Sequence, residues 1–319
     1  MVEIFKTNDA LRKIEKVDTI ERGVWINMCN PTPEEIEYII DKTGVDRTFI
    51  ENSLDIEERS HIDTEDDQVL VSINVPIKEM TSKASKAKKY TTVPLGMIIV
   101  RDDYIITVSS EKLKVLNNIS TQKIILGEFA TYKKSRIIFQ VLYKVAEEYI
   151  RFLDIISKDI ERFEDKIENT TMQNKELVKL IHFQKSMVYF DAALKSNQSV
   201  MERLKRGKII KLYEEDEDIL EDAAIENRQA MEMVTTYSAI LNGMIDVFGT
   251  MVSNYLNLVM KFLTSITILI SVPTLISSIL GMNVTFPFAT GVIGFWIVMV
   301  VSILATVLTW VYLKKKDLM

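Results

Sequence analysis

Two apolar stretches close this chain, and no charged residue occurs from Phe262 to Leu313. Phe262 to Gly281 is twenty residues, which as a helix reaches about 30 Å, the thickness of a bilayer's hydrocarbon core. Phe288 to Leu313 is longer and spans with some tilt. Only a short polar turn fits between them. The pattern predicts a helical hairpin in a membrane, with lipid as its surroundings and some 260 more polar residues before it.

Upstream, two further patterns alternate. Residues 1–135 read as a mixed α/β domain. Val24 to Asn27 reads as a short strand. Thr32-Pro33-Glu34-Glu35 is a capping box with proline at the first helical position, so a helix follows to about Lys42 and stops near Gly44. A second short helix covers Asp46 to Leu54. Gln68–Ile77, Thr92–Arg101 and Tyr104–Ser109 are rich in β-branched residues and read as strands. The Lys/Ser-rich segment Thr81–Lys89 reads as a hairpin loop, and Glu111–Asn117 as a helix. From about Lys134 the spacing turns helical. Arg136–Glu168 and Thr171–Arg206 read as two long helices joined near Asn169-Thr170. After a turn at Gly207, a third helical pattern begins at Glu214 and meets no stop before Gly281. Pro273 is expected to kink it, which a membrane span tolerates. The expected division is therefore 1–135 (α/β), 136–213 (long antiparallel helices), 214–281 (a stalk helix continuing into the first span), 282–287 (outer loop), 288–313 (second span) and 314–319 (basic tail).

The first span carries a pattern of its own. Asn257, Met260, Thr264, Thr267, Ser271, Thr274, Ser278 and Gly281 recur at steps of three and four, a single helix face of small and hydroxyl-bearing residues. Two readings stay open. The stripe is a close-packing seam, since small residues let membrane helices approach. Alternatively, several copies of the helix surround an axis and the stripe lines a water-filled path. Two spans cannot enclose a pore, so the second reading requires a ring of identical subunits. The second span offers no comparable stripe and reads as a lipid-facing outer helix.

Charge adds orientation. Lys261 precedes the first span, Lys314, Lys315 and Lys316 follow the second, and the turn between has no Lys or Arg. By the positive-inside rule both termini lie in the cytoplasm of a cell with this protein in its plasma or inner membrane. The chain's net charge is −6, and residues 261–319 hold four lysines against Asp317 alone. The part before the membrane is thus more acidic than the whole, which suits cations as partners and disfavours nucleic acid. The first residues lack the apolar core of an export signal, so the large N-terminal part is expected to stay inside. Cys29 is the sole cysteine and cannot form an intrachain disulfide. With only His61 and His182 as bases, no catalytic set has the right spacing, and an enzyme is not expected.

The run Asn254–Thr264, then Pro273, then Gly281-Met282-Asn283, a second span and Lys314-Lys315-Lys316 resembles the CorA family of magnesium transporters. The resemblance implies a homopentameric funnel whose first span lines the pore. It implies that Asn283 forms a ring at the outer mouth, within the motif Gly281, Met282, Asn283. Thr274 and Ser271 would follow as oxygen ligands, with Ser278 and Thr267 on the same face. Met260 and Leu263 match a hydrophobic constriction, and Asn257 an inner polar ring. The resemblance selects Leu263 where the stripe selects Thr264. Mg²⁺ is then both cargo and regulator, with no organic cofactor and with Co²⁺ or Ni²⁺ as passengers.

The resemblance also implies a regulatory Mg²⁺ site between neighbouring soluble domains that favours the closed state. Asp222 falls at the position of one family ligand. Ile50-Glu51-Asn52 stands where the family has Leu-Glu-Asp, so this chain offers Asn52, with Glu51 and Asp55 as substitutes. The outer segment Val284–Phe288 has no acidic residue, although many family members carry a glutamate there. Two other readings compete with magnesium transport: a zinc transporter of the same superfamily, and a membrane-anchored helical scaffold or sensor that transports nothing.

Overall fold

The computed structural model describes residues 1–8, 13–79, 89–121, 130–168, 174–207, 209–282 and 291–316, with backbone alone at 89, 166–168, 174–176 and 291. Its first part is a seven-stranded mixed sheet. The strands are β1 (Val2–Asn8), β2 (Lys13–Val17), β3 (Trp25–Cys29), β4 (His61–Glu65), β5 (Gln68–Glu79), β6 (Lys89–Val100) and β7 (Tyr104–Ser109). Their order is β2-β1-β3-β7-β6-β5-β4, antiparallel except for the β3–β7 pair. Three of these strands, β1, β2 and β4, are absent from the sequence reading. β2 and β4 are the sheet edges, and all three carry charged residues. Edge strands need only one apolar face and often carry charge, so they give little hydrophobic signal.

Period-two alternation sends successive side chains to opposite faces. On β6, Val93, Leu95 and Met97 join one core, whereas Ile98 and Val100 join the other. The smaller core lies under α1 (Pro33–Thr43) and α2 (Arg47–Leu54). The α1 entry is the capping box expected from sequence: Thr32 Oγ1 accepts from Glu35 N, and Glu35 Oε2 accepts from Thr32 N at 2.9 Å. Its exit is Gly44 at φ 69°, a left-handed conformation that favours glycine. α2 sits directly over Gly96 of β6. A Cβ there would lie 1.8 Å from Ser53 Oγ, so only glycine permits this approach.

The larger core covers the other sheet face with α3 (Lys114–Ser120), α4 (Lys134–Glu168), α5 (Asn174–Lys205) and the first half of α6 (Glu214–Leu280). The joint expected near Asn169-Thr170 and most of the loop expected over 81–89 fall outside the described residues. Contacts divide the chain into two units, 1–245 and 246–319. The long helices α4 and α5 therefore share one core with the sheet.

Two polar features fix the helices in the first unit. β4 reaches only to His61, opposite Ser72, so at Asn74 β5 has run past its neighbour. Side chains take up the backbone there. Asn74 N donates to Asn197 Oδ1 at 2.9 Å, and Asn74 O accepts from Asn197 Nδ2 and from Tyr149 Oη, both at 2.9 Å. An amide of α5 thus acts as one residue of a missing strand. The second feature joins the starts of α4 and α6. Arg136 Nε donates to Asp216 Oδ1 at 2.6 Å and Nη2 to Glu215 Oε2 at 2.8 Å, with Arg136 and Asp216 buried. Burial alone would lower the Arg136 pKa, but the two carboxylates raise it on balance. Four acids in the first turn of α6 also suit the positive end of the helix dipole.

In the second unit, α6 continues to Leu280 and α7 spans Gly291–Lys315. Both are long and apolar enough to cross a membrane, with mean hydropathy 1.9 and 2.5 over their best windows. Among the described residues these are the two such helices.

Asn197→Ala removes both amide contacts to a buried backbone. It is expected to destabilise the protein by about 2 kcal/mol, read as a lower unfolding midpoint. Arg136→Met strands the buried Asp216 carboxylate and is expected to cost about 3–5 kcal/mol. Changes within about 0.5 kcal/mol in either variant would contradict these assignments.

Candidate ion-conduction site

Helix geometry settles which side of α6 meets α7. Ser265 is buried, and Ile266, Leu269, Val272, Pro273, Ile276 and Leu280 are half-buried, whereas the residues between them are exposed. These positions form one line at helical spacing. Pro273, Ser277, Leu280 and Gly281 share a groove of about 690 Å³ with Gly294, Val298, Ser302 and Thr306 of α7. The pairing is therefore through this line. On α7 the covered positions are Gly294, Val298, Ser302, Ala305, Thr306, Thr309 and Leu313. That is a small-residue seam, which corrects the expectation that the second span carries no stripe. Its large residues on other faces, Trp296, Val300, Leu304 and Val311, stay exposed.

The hydroxyl stripe is elsewhere. Thr264, Thr267, Ser271, Thr274 and Ser278 are all exposed, as are Asn257, Met260, Leu263 and Gly281. At 3.6 residues per turn the centre of the stripe lies about 180° around α6 from the face that α7 covers. The stripe is thus not the seam of the hairpin. Leu263 and Thr264 are both exposed, so α7 selects neither over the other.

The hydroxyls are also polarised in a useful sense. Thr267 Oγ1 donates to Leu263 O at 2.8 Å, Ser271 Oγ to Thr267 O at 2.7 Å, and Thr274 Oγ1 to Ile270 O at 2.8 Å. Each hydrogen is spent on the helix backbone, so each oxygen turns only lone pairs outward. A ladder of acceptors without donors suits a cation or its water shell.

At the end of α6, Gly281 N donates to Ser277 O at 2.9 Å, closing the last turn. A Cβ on Gly281 would meet Ser277 O at 3.1 Å. Met282 follows and is exposed. Asn283 and the segment 284–287, expected as an outer loop, lie outside the described residues. Lys261, Lys314, Lys315 and Lys316 are exposed, and Lys314 Nζ sits 5.2 Å from the centre of the Trp310 ring.

The candidate regulatory residues fall into two groups with different surroundings. On α2, Glu51 is exposed, 3.8 Å from Arg47, and Asn52 is half-buried. Asp55 Oδ1 accepts from Glu57 N at 3.0 Å just past the helix end. On α6, Asp222 is exposed and shares the surroundings of Tyr143 with Glu147 and Glu226. The Tyr143 phenol is pushed up to about 12, by burial first and by these carboxylates after it. Among the described residues no three His, Cys, Asp or Glu side chains of the single chain converge as metal ligands.

A family model described as CorA-like Mg²⁺ transporter protein matches residues 21–315. The cobalt/magnesium transport protein CorA of Methanocaldococcus jannaschii is 27% identical over 306 residues, covering 93% of this chain and 91% of that protein. The protein of the same name from Thermotoga maritima is 22% identical over 317 residues, 98% of this chain and 88% of that one. The complete structure of the CorA magnesium transporter from M. jannaschii superposes with a TM-score of 0.81 at 25% identity, covering 98% and 97% of the two chains.

Exposure of the stripe is directly measurable. With Cys29, the sole cysteine, replaced by serine, Ser271→Cys and Thr274→Cys are expected to react with a charged methanethiosulfonate roughly tenfold or more faster than Leu275→Cys or Val300→Cys. Equally slow reaction at all four positions would make the stripe a dry seam.

Proposed function

This chain belongs to the CorA-like Mg²⁺ transporter family, and from that premise we propose that it carries Mg²⁺ inward through a homopentameric pore. Co²⁺ and Ni²⁺ are further cargo. The pore sits in a plasma or inner membrane, with both termini and the acidic soluble part in the cytoplasm. Its driving force is the electrochemical gradient rather than chemistry on an organic cofactor.

The observation that carries this reading is the position of the hydroxyl stripe, on the side of α6 opposite α7. A row of outward lone pairs facing hydrocarbon is costly. Around a five-fold axis the same row faces water and cations. The stalk and pore helix of residues 214–281 and the loop after it then supply, from outside inward, Asn283 within the motif Gly281-Met282-Asn283, then Ser278, Thr274, Ser271 and Thr267. Leu263 and Met260 form a constriction that closes by dewetting, and Asn257 an inner ring. Mg²⁺ gives up its waters reluctantly. A neutral ring of Asn283 amide oxygens accepts hydrogen bonds from those waters and holds the ion loosely enough to release it. Lys261 and Lys314–Lys316 anchor the cytoplasmic ends of the spans.

Regulation follows from the exposed acids. Asp222 of one subunit meets Glu51, Asn52 and Asp55 of its neighbour, and Mg²⁺ bridges them through oxygen ligands. Like charges facing across that boundary repel when the cation leaves, which loosens the ring. Asn52 brings one negative charge fewer than an aspartate, so the resting block is weak. The relatives are named for cobalt and magnesium, which favours magnesium over zinc. A scaffold that transports nothing would accept alanine at Asn283 and along the stripe.

The deciding experiment is Mg²⁺ influx into proteoliposomes carrying an internal magnesium dye. The wild type is expected to take up Mg²⁺, and Asn283→Ala to lose about tenfold or more of that rate. A folded wild type that passes no Mg²⁺ with internal Mg²⁺ removed would overturn the reading. In the same assay Asn52→Asp is expected to lower the internal Mg²⁺ needed for half-block, by about three- to tenfold, and Asp222→Ala to raise it. No shift in either variant would remove these residues from regulation.

A further inference from the structure

The membrane unit carries charge without counter-charge. From Val247 to Lys316 the sequence has no Asp or Glu, and its only charged residues are Lys261, Lys314, Lys315 and Lys316. All four are exposed. Asp317 follows directly and lies outside the described residues. The four lysines also share one depth. Phe262 begins the first apolar stretch and Leu313 ends the second, so each lysine stands at the edge of the hydrocarbon core. Trp310 and Tyr312, in the last turns of α7, are 44% and 61% exposed, and aromatic rings of this kind sit at headgroup level. Lys314 Nζ lies 5.2 Å from the centre of the Trp310 ring.

Helix geometry brings two of them to the same place. At this end of the hairpin the last covered residues are Ser265 on α6, 1% exposed, and Leu313 on α7, 3% exposed. Every residue from Val252 to Thr264 and from Lys314 to Lys316 is exposed. Contact between the two helices therefore ends at Ser265 and Leu313. Lys261 stands one turn before Ser265, within about 40° of its direction at ~100° per residue. Lys316 stands three residues after Leu313, within about 60° of its direction. Its N–H closes the end of α7 on Leu313 O at 3.2 Å. The two lysines thus continue the facing lines of α6 and α7 just past the last covered pair. Lys315, two residues from Leu313, points away from α6. Two ammonium groups at the open end of one hairpin repel each other unless an anion joins them.

We propose that Lys261 and Lys316 together hold the phosphate of an anionic phospholipid headgroup, and that this lipid pins the open end of the hairpin where direct packing stops. An ammonium has three donors and no acceptor, so each lysine gives charge-assisted hydrogen bonds to phosphate oxygens. A phosphatidylcholine phosphate is neutralised by its own choline. An anionic headgroup keeps the net charge that unpaired lysines attract. The site differs from the general attraction of a basic segment to a negative surface, because it singles out two lysines of the four. It requires that the two helices cross a membrane, and it does not depend on which ion passes or on whether any does.

The test uses the full-length protein in nanodiscs of phosphatidylcholine, alone or mixed in roughly equal amounts with phosphatidylglycerol. Two quantities are read: the thermal unfolding midpoint, and the phosphatidylglycerol retained by the protein in native mass spectrometry. Phosphatidylglycerol is expected to raise the wild-type midpoint by several degrees. Lys261→Gln and Lys316→Gln are each expected to weaken its retention by about tenfold or more. Lys315→Gln removes the same charge and is expected to cost no more than about fivefold, the share of one lysine near an anionic surface. Lys261→Arg combined with Lys316→Arg keeps both charges and is expected to keep the lipid, which separates lost binding from lost folding. Equal losses in the three glutamine variants would reduce the site to general charge attraction and overturn the proposal. A wild type indifferent to phosphatidylglycerol would do the same. Inorganic phosphate added to the phosphatidylcholine discs is expected to change nothing; a midpoint gain matching that of phosphatidylglycerol would make the ligand a free anion and not a lipid. Neither readout involves Mg²⁺ influx, so failure here leaves the transport reading standing.

Discussion

α7 can cover only one side of α6, and the membrane half of this protein is organised around that limit. Apart from the carbonyl that Pro273 leaves without its helix donor, backbone groups within each span are satisfied internally, so what remains to be covered is side chains. α7 takes the line through Ser265, Leu269, Ile276 and Leu280. The opposite line carries the hydroxyls of Thr267, Ser271, Thr274 and Ser278. Among the described residues nothing of the same chain covers them. On the proposed reading a ring of subunits sets copies of the helix and water against those oxygens.

The soluble unit answers a different demand, holding the start of α6 in place. The helix is 67 residues long and begins in a polar environment. Its first turn is fixed by the buried guanidinium of Arg136, reached by Asp216 and Glu215. The helices beneath it are tied to the sheet by Asn197 and Tyr149, at the point where β5 outruns its neighbour. Each contact satisfies a buried polar group through specific partners.

Membership of the CorA-like family agrees with this arrangement along nearly the whole chain. Two places stand apart from the family pattern that the sequence resembles. Asn52 brings no negative charge to the candidate site on α2, and the segment 284–288 has no acid. Both changes weaken electrostatic attraction and leave the oxygen ladder of α6 unaltered. On the proposed reading, selectivity is left to hydration chemistry at the pore and block to a thinner set of carboxylates.

Much was legible in the residues alone. The capping box of α1, the glycine at its end, the strands of the sheet centre and the two spans all follow from local chemistry or from periods of two and 3.6. So does the hydroxyl stripe, since a face of a helix is a matter of spacing. The edge strands β2 and β4 and their neighbour β1 were not legible, because their charges mask the alternation. Nor was the small-residue line of α7, whose Gly294, Ser302, Thr306 and Thr309 are diluted by valine and leucine. Spacing defines a face but not what it faces, which depends on where a second helix lies. Only the tertiary structure put α7 on the side of Pro273 and left the stripe free, because that choice is made by packing between helices that the chain does not encode in any one of them.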